Sequence, residues 1–188
     1  MTGPDRSATV PGYSMEIPQD VIPGVTAQLV RFAVPRGFLV GFDSFRVWPT
    51  GLYFCSSLCV KLSGRTGATS NPGGGREVLM EWREASGPPA ECVRVEVKFP
   101  DGVTISNVGR YGEMFGVLDP RGGDGGSARG GWRRHDMGWW LSPLPPPGEV
   151  IFSIEWPAAG LARIEAGVDA EPLLEAAKRV RLVSGLKC

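Results

Sequence analysis

Phe38-Leu-Val-Gly-Phe-Asp-Ser-Phe-Arg-Val-Trp48, then Pro49-Thr-Gly51, then Leu52-Tyr-Phe-Cys-Ser-Ser-Leu-Cys-Val-Lys-Leu62 is the stretch that decides the fold. The first run alternates apolar and polar residues, but its phase changes. Phe38, Val40 and Phe42 fall on even positions, and Phe45 and Val47 on odd ones. A strand turns successive side chains to opposite faces, so it keeps one face buried across such a change only by inserting a residue. The pattern therefore predicts a bulge or sharp bend at Asp43-Ser44. Pro49-Thr-Gly51 carries turn chemistry, and the two runs around it predict an antiparallel hairpin.

Outward from this hairpin, further short strands are separated by turn signals. Residues 26–34 predict a strand ended by Pro35-Arg-Gly37, and residues 77–83 predict a short one carrying Trp82. Residues 92–99 alternate cleanly, with Val93, Val95, Val97 and Phe99 on one face and Arg94, Glu96 and Lys98 on the other. That is a half-buried antiparallel strand. Pro100-Asp-Gly102 turns it into 103–107, a second hairpin. Met114 to Leu118 is a brief apolar stretch; residues 149–156 and 161–166 predict paired strands around Pro157-Ala-Ala-Gly160. Residues 63–76 and 85–90 predict loops, as does the glycine-rich 121–131.

One helix is expected at about residues 169–181, capped by Asp169, with Pro172 in the first turn. Its apolar stripe is Leu173, Leu174, Ala177 and Val180, and Lys178, Arg179 and Arg181 fall near its negative end. Together these elements predict a mainly β fold: an antiparallel β-sandwich or open barrel of about nine or ten strands, immunoglobulin-like or jelly-roll-like, with one C-terminal α-helix over an edge or open end. A Pro-rich tail is expected at 1–24, one domain at 25–183 and a short tail at 184–188.

Composition supports a folded, loop-rich chain. Its 188 residues are 42% hydrophobic and include six Trp and eight Phe alongside 27 Gly and 17 Pro. Those aromatic rings would be left wet by a disordered chain. Twenty basic residues balance twenty acidic ones, which removes the net-charge argument for nucleic acid or an anionic membrane as partner. No run suits a signal peptide or the roughly 20 apolar residues of a membrane span, so a cytoplasmic location is expected. Cys55 and Cys59 lie on one strand face, about 13 Å apart at a strand's rise, too far for a disulfide or a shared zinc. With Cys92, Cys188 and a single histidine as the remaining candidates, no metal or other cofactor is expected.

Three segments carry a resemblance. They are Val47-Trp-Pro-Thr-Gly-Leu-Tyr-Phe54, Leu118-Asp-Pro-Arg-Gly-Gly-Asp-Gly-Gly-Ser127, and Trp140-Leu-Ser-Pro-Leu-Pro-Pro-Pro-Gly-Glu-Val-Ile-Phe152 leading to Glu155-Trp-Pro-Ala-Ala-Gly160. In these the chain resembles a family of actinobacterial proteins of unknown function, over most of residues 25–183. The resemblance implies a single domain and brings no reaction, ligand or catalytic residue with it.

Candidates for chemistry are few. The glycine segment lacks the lysine and following helix of a phosphate-binding loop, and its two Arg-Gly-Gly triplets do not make an RNA-binding tract. It is expected to be a mobile connection or a recognition loop. His135-Asp136 would need a nucleophile beside it to form a triad, there is no GxSxG, and neighbours on a strand point opposite ways. Glu149 and Glu155, about 20 Å apart along a strand, cannot act as a pair. The tryptophans are expected mainly in the core, with at least one of Trp139 and Trp140 near solvent or under a loop. Pro143-Leu-Pro-Pro146 matches a PxxP ligand but suits a stiff spacer.

The sequence thus favours a non-catalytic binding or protein-interaction module, with a protein partner engaged by Arg129, Trp132, Arg133, Arg134, His135 and Trp140. The alternative is a small-ligand or carbohydrate binder, or a hydrolase, with a pocket at one open end near Trp132, His135, Trp140 and Glu155. Strand order and oligomeric state are not encoded in any of these signals.

Overall fold

A computed structural model describes residues 14, 16–61, 93–108, 116–129 and 131–183. The expected strand with Trp82, the loops at 63–76 and 85–90, Met114, Cys92 and Cys188 lie outside the described residues. In chain order the elements are β1 (Val21–Ile22), β2 (Gly24–Val25), β3 (Val30–Arg31), β4 (Phe38–Trp48), β5 (Gly51–Lys61), β6 (Arg94–Lys98), β7 (Thr104–Ser106), β8 (Val117–Arg129), β9 (Trp132–Ser142), β10 (Glu149–Trp156), β11 (Leu161–Asp169), α1 (Glu171–Ala177) and β12 (Arg181–Leu182). One sheet runs β2-β4-β5-β9-β8, with β3 also on β4; a second runs β11-β10-β6-β7; β1 and β12 form a ribbon. Every pairing is antiparallel.

The two larger sheets face each other across an aromatic core. Phe152 of β10 meets Phe54 of β5 at 5.5 Å between ring centroids, edge to face, and Phe42 and Phe45 of β4 at 5.8 and 6.1 Å. All four rings are fully buried. Around them pack Val95, Val97, Ile154 and Leu52, the inward residues of their strands. The molecule is a mainly β antiparallel sandwich with one helix near its C-terminus.

The phase change in β4 is resolved by the expected bulge. Asp43 pairs with Cys55 and Arg46 with Tyr53, so the register slips between them. Ser44 supplies the irregularity with a positive φ of 58°, a left-handed conformation that costs a non-glycine residue about 1–2 kcal/mol. As a result Phe42 and Phe45 both face the core. The bulge also divides the neighbouring edge: residues 26–34 do not form one strand. Instead β2 pairs with Val47 and Arg46, and β3 with Phe42 and Gly41, one on each side of the slip.

Three other expectations change. The glycine-rich segment is a strand, not a loop. Its backbone is laddered to β9, with register shifts between Pro120 and Gly123 and between Asp124 and Ser127. The first shift contains Gly122 at a φ of 89°. The helix ends at Ala177, short of residue 181, because Arg181 and Leu182 pair with Ile22 and Val21. Its buried side chains are Leu173 and Ala176, with Leu174 and Ala177 partly covered. Asp169 does serve the first turn, its carboxylate accepting the Glu171 N–H at 3.0 Å. Finally, strand pairing begins at Val21, inside the segment that composition assigns to a tail.

The sandwich has two unlike ends. At one, α1 packs over β2 and β4, so closely that a Cβ on Gly24 would overlap the Ala176 carbonyl. The β4–β5 turn and the start of β10 lie at this end. At the other end lie the β8–β9 turn, the start of β4 and the last residues of β5.

Candidate functional site

The sequence-selected residues are all on β8 and β9, and strand alternation sorts them. Trp132 and Arg134 point to the outer face of the large sheet, Arg133 and His135 to the inner face. Register makes a row at the open end: Lys61 of β5 opposes Trp132, which opposes Arg129 of β8. Neighbouring strands are about 4.8 Å apart, so Lys61 and Arg129 leave the sheet on either side of Trp132. Arg36 lies beside them, since the Lys61 N–H donates to the Gly37 carbonyl at 2.8 Å. Arg36, Lys61, Arg129 and Arg133 are exposed and have no carboxylate partner among the described residues.

One row further in on the same face stand Leu39, Cys59 and Arg134. Here a shallow hollow of about 280 Å³ has Phe32, Val34 and Leu39 as apolar walls, with Arg31 and Arg134 at its sides. Leu39 is 58% exposed. Arg134 is held in place: its Nε donates to Asp136 Oδ2 at 2.7 Å and its Nη2 to Ser57 Oγ at 3.0 Å. That pairing raises the Arg134 pKa and fixes its charge.

His135 faces inward, away from Asp136. Its ring meets Trp156 of β10 edge to face at 5.3 Å, bridging the two sheets. Its Nε2 is buried and without a hydrogen-bond partner. Burial lowers its pKa, Arg133 lowers it further, and Asp136 opposes them. With the Asp136 carboxylate on the opposite face, bound to Arg134 and Ser57, no carboxylate among the described residues orients this imidazole.

Trp140 does not join the group. It is fully buried at the helix-capped end, on the outer face, packed against Trp48 at 5.6 Å, and its Nε1 donates to the Ser14 carbonyl at 2.8 Å. Glu155, grouped with it in the alternative reading, lies in the other sheet and pairs with Arg94 at 2.9 Å. The structure therefore assembles Arg129, Trp132 and Arg134 with Arg31, Arg36 and Lys61, and places Arg133 and His135 on the inner face and Trp140 toward the helix-capped end. Sequence reasoning missed Arg36 and Lys61, because only cross-strand register brings them to Trp132. The signal available was the basic residue closing each run, Arg36 before Gly37 and Lys61 at the end of its strand.

Among the described residues, no group of three or more His, Cys, Asp or Glu is placed to hold a metal. No described helix is long and apolar enough to cross a membrane. Comparison with protein-family models, curated proteins and solved structures finds no match.

Proposed function

We propose that this protein is a non-catalytic interaction module that binds an acidic, partly apolar segment of a partner protein at the open end of its large sheet. The observation that carries the reading is the Lys61–Trp132–Arg129 row, with Arg36 beside it and Arg133 on the inner side of the same end, on a chain of zero net charge. Unpaired cations focus a positive potential there, which steers an acidic segment. The Trp132 face and the hollow beside Leu39 supply the apolar contact that charge alone lacks.

A fluorescent peptide alternating Glu with Phe tests this by anisotropy. Binding to the wild-type chain is expected to weaken as salt rises, and to weaken more than tenfold in Lys61→Glu/Arg129→Glu. Absence of binding, or equal binding by that variant, overturns the reading. Tighter binding of a single-stranded oligonucleotide than of the peptide overturns it in favour of a nucleic-acid partner.

A further inference from the structure

The outer face of the β11-β10-β6-β7 sheet has a second concavity, built by side-chain length. Register places Glu165, Ser153, Glu96 and Ser106 in one row, and Glu155 opposite Arg94 beside it. Two serines among arginines and glutamates leave a floor below charged walls. The resulting hollow is about 380 Å³, at the small end of the roughly 300–1,000 Å³ typical of ligand sites. The charges lining it are matched two against two, Arg94 and Arg163 with Glu96 and Glu155, while Glu165 stands outside the lining. Arg94 Nη1 donates to Glu155 Oε1 at 2.9 Å, and Arg163 donates to Glu96 Oε1 and, at 2.8 Å, to Glu165 Oε1. These contacts leave the second oxygen of each glutamate free. The floor hydroxyls donate through long contacts, Ser153 Oγ to the Glu96 carbonyl and Ser106 Oγ to the Val95 carbonyl, both at 3.4 Å, and Ser106 Oγ also accepts the Val108 N–H at 3.1 Å.

We propose that this hollow binds a neutral, polyhydroxylated ligand the size of one or two sugar rings. An ionic ligand would have to separate one of the existing pairs and leave a charge uncompensated. Vicinal hydroxyls need not. Each donates to a free carboxylate oxygen and accepts from guanidinium N–H or serine O–H, adding to the network. The site is on the opposite layer from the cationic row and does not depend on it.

Saturation-transfer NMR with D-glucose, D-galactose, D-mannose, N-acetyl-D-glucosamine and trehalose tests the proposal, with acetate, citrate and glycine as charged controls. At least one sugar is expected to bind, and its signal is expected to fall more than tenfold in Ser153→Leu, which fills the floor. Because Ser153 is itself buried, Glu155→Gln and Arg163→Gln serve as wall variants that leave the floor intact. These are expected to weaken the sugar several-fold, whereas Lys61→Glu/Arg129→Glu leaves it unchanged. The proposal is overturned if no sugar on the panel binds, if a charged control binds more tightly, or if floor and wall variants that unfold cooperatively bind as well as wild type.

Discussion

Trp139 and Trp140 are adjacent and equally buried, but for different reasons. Trp139 faces the core, where its indole N–H donates to Ser56 Oγ at 2.8 Å, inside the protein. Trp140 faces outward and is sealed by Trp48 and the chain near Ser14. Ser56→Ala removes the hydroxyl that accepts the Trp139 N–H, and losing such a buried hydrogen bond costs about 1–3 kcal/mol. A fall of that size in unfolding free energy is expected from urea denaturation followed by tryptophan fluorescence. His135 gives a pH dependence of definite sign. Its folded-state pKa is lowered, chiefly by burial, whereas in the unfolded chain it titrates near about 6.5. The unfolded state therefore takes up protons first as pH falls. The stability contributed by the neutral imidazole is complete above that value and is lost as pH drops toward the lower folded pKa. Urea midpoints measured between about pH 7.5 and 5 should decline through this group, and His135→Phe should flatten that part of the profile.

The bulge in β4 shows how an element departs from the regular form that its sequence otherwise specifies. Ser44 is the described non-glycine residue with a positive φ, and its Oγ donates to Asp43 Oδ1 at 2.8 Å, an exposed contact of small worth. Ser44→Gly relieves the left-handed conformation and should raise stability by up to about 1 kcal/mol, whereas Ser44→Val should lower it by at least as much. Thermal unfolding of the three chains decides this. Gly24 poses the opposite problem: α1 approaches so closely that Gly24→Ala forces helix and β2 apart, at a cost of about 1–3 kcal/mol. Both variants bear on what the sequence made visible. The bulge was legible because the Phe42-to-Phe45 phase change leaves no other way to bury both rings. The closeness of Gly24 to α1 was not, since it depends on contacts far apart in the chain. The glycine-rich strand was misread for a related reason: its pairing runs through backbone groups to β9, and Gly122, Gly123, Gly125 and Gly126 break the alternation of side chains that would announce it.

At the scale of the molecule, zero net charge concealed a local excess of positive charge. Among the described residues, Arg36, Lys61, Arg129 and Arg133 gather at the open end without a carboxylate partner, while at the end that α1 covers Asp20, Glu149, Asp169, Glu171 and Glu175 are interspersed with Lys178, Arg179 and Arg181. Balanced composition removed the net-charge argument for nucleic acid or an anionic membrane but could not locate a local excess, because a sum carries no position; register restores the position. Such a patch acts through its local field, which extends about one Debye length, roughly 8–10 Å at moderate salt. A surface that recognises charge responds to that field and not to the total. The chain has a sequence pI of about 6.6, so just above neutrality it carries no net positive charge to hold it on an anionic resin. It should nonetheless be retained on a cation exchanger there at low ionic strength, bound by its open end. Lys61→Gln/Arg129→Gln should elute at distinctly lower salt, while Lys98→Gln, a substitution in the other sheet of equal charge change to either single replacement, should shift elution little. Flow-through of the wild-type chain, or an equal shift for Lys98→Gln and Lys61→Gln, would show that charge is spread evenly and that the open end has no special claim on an acidic partner.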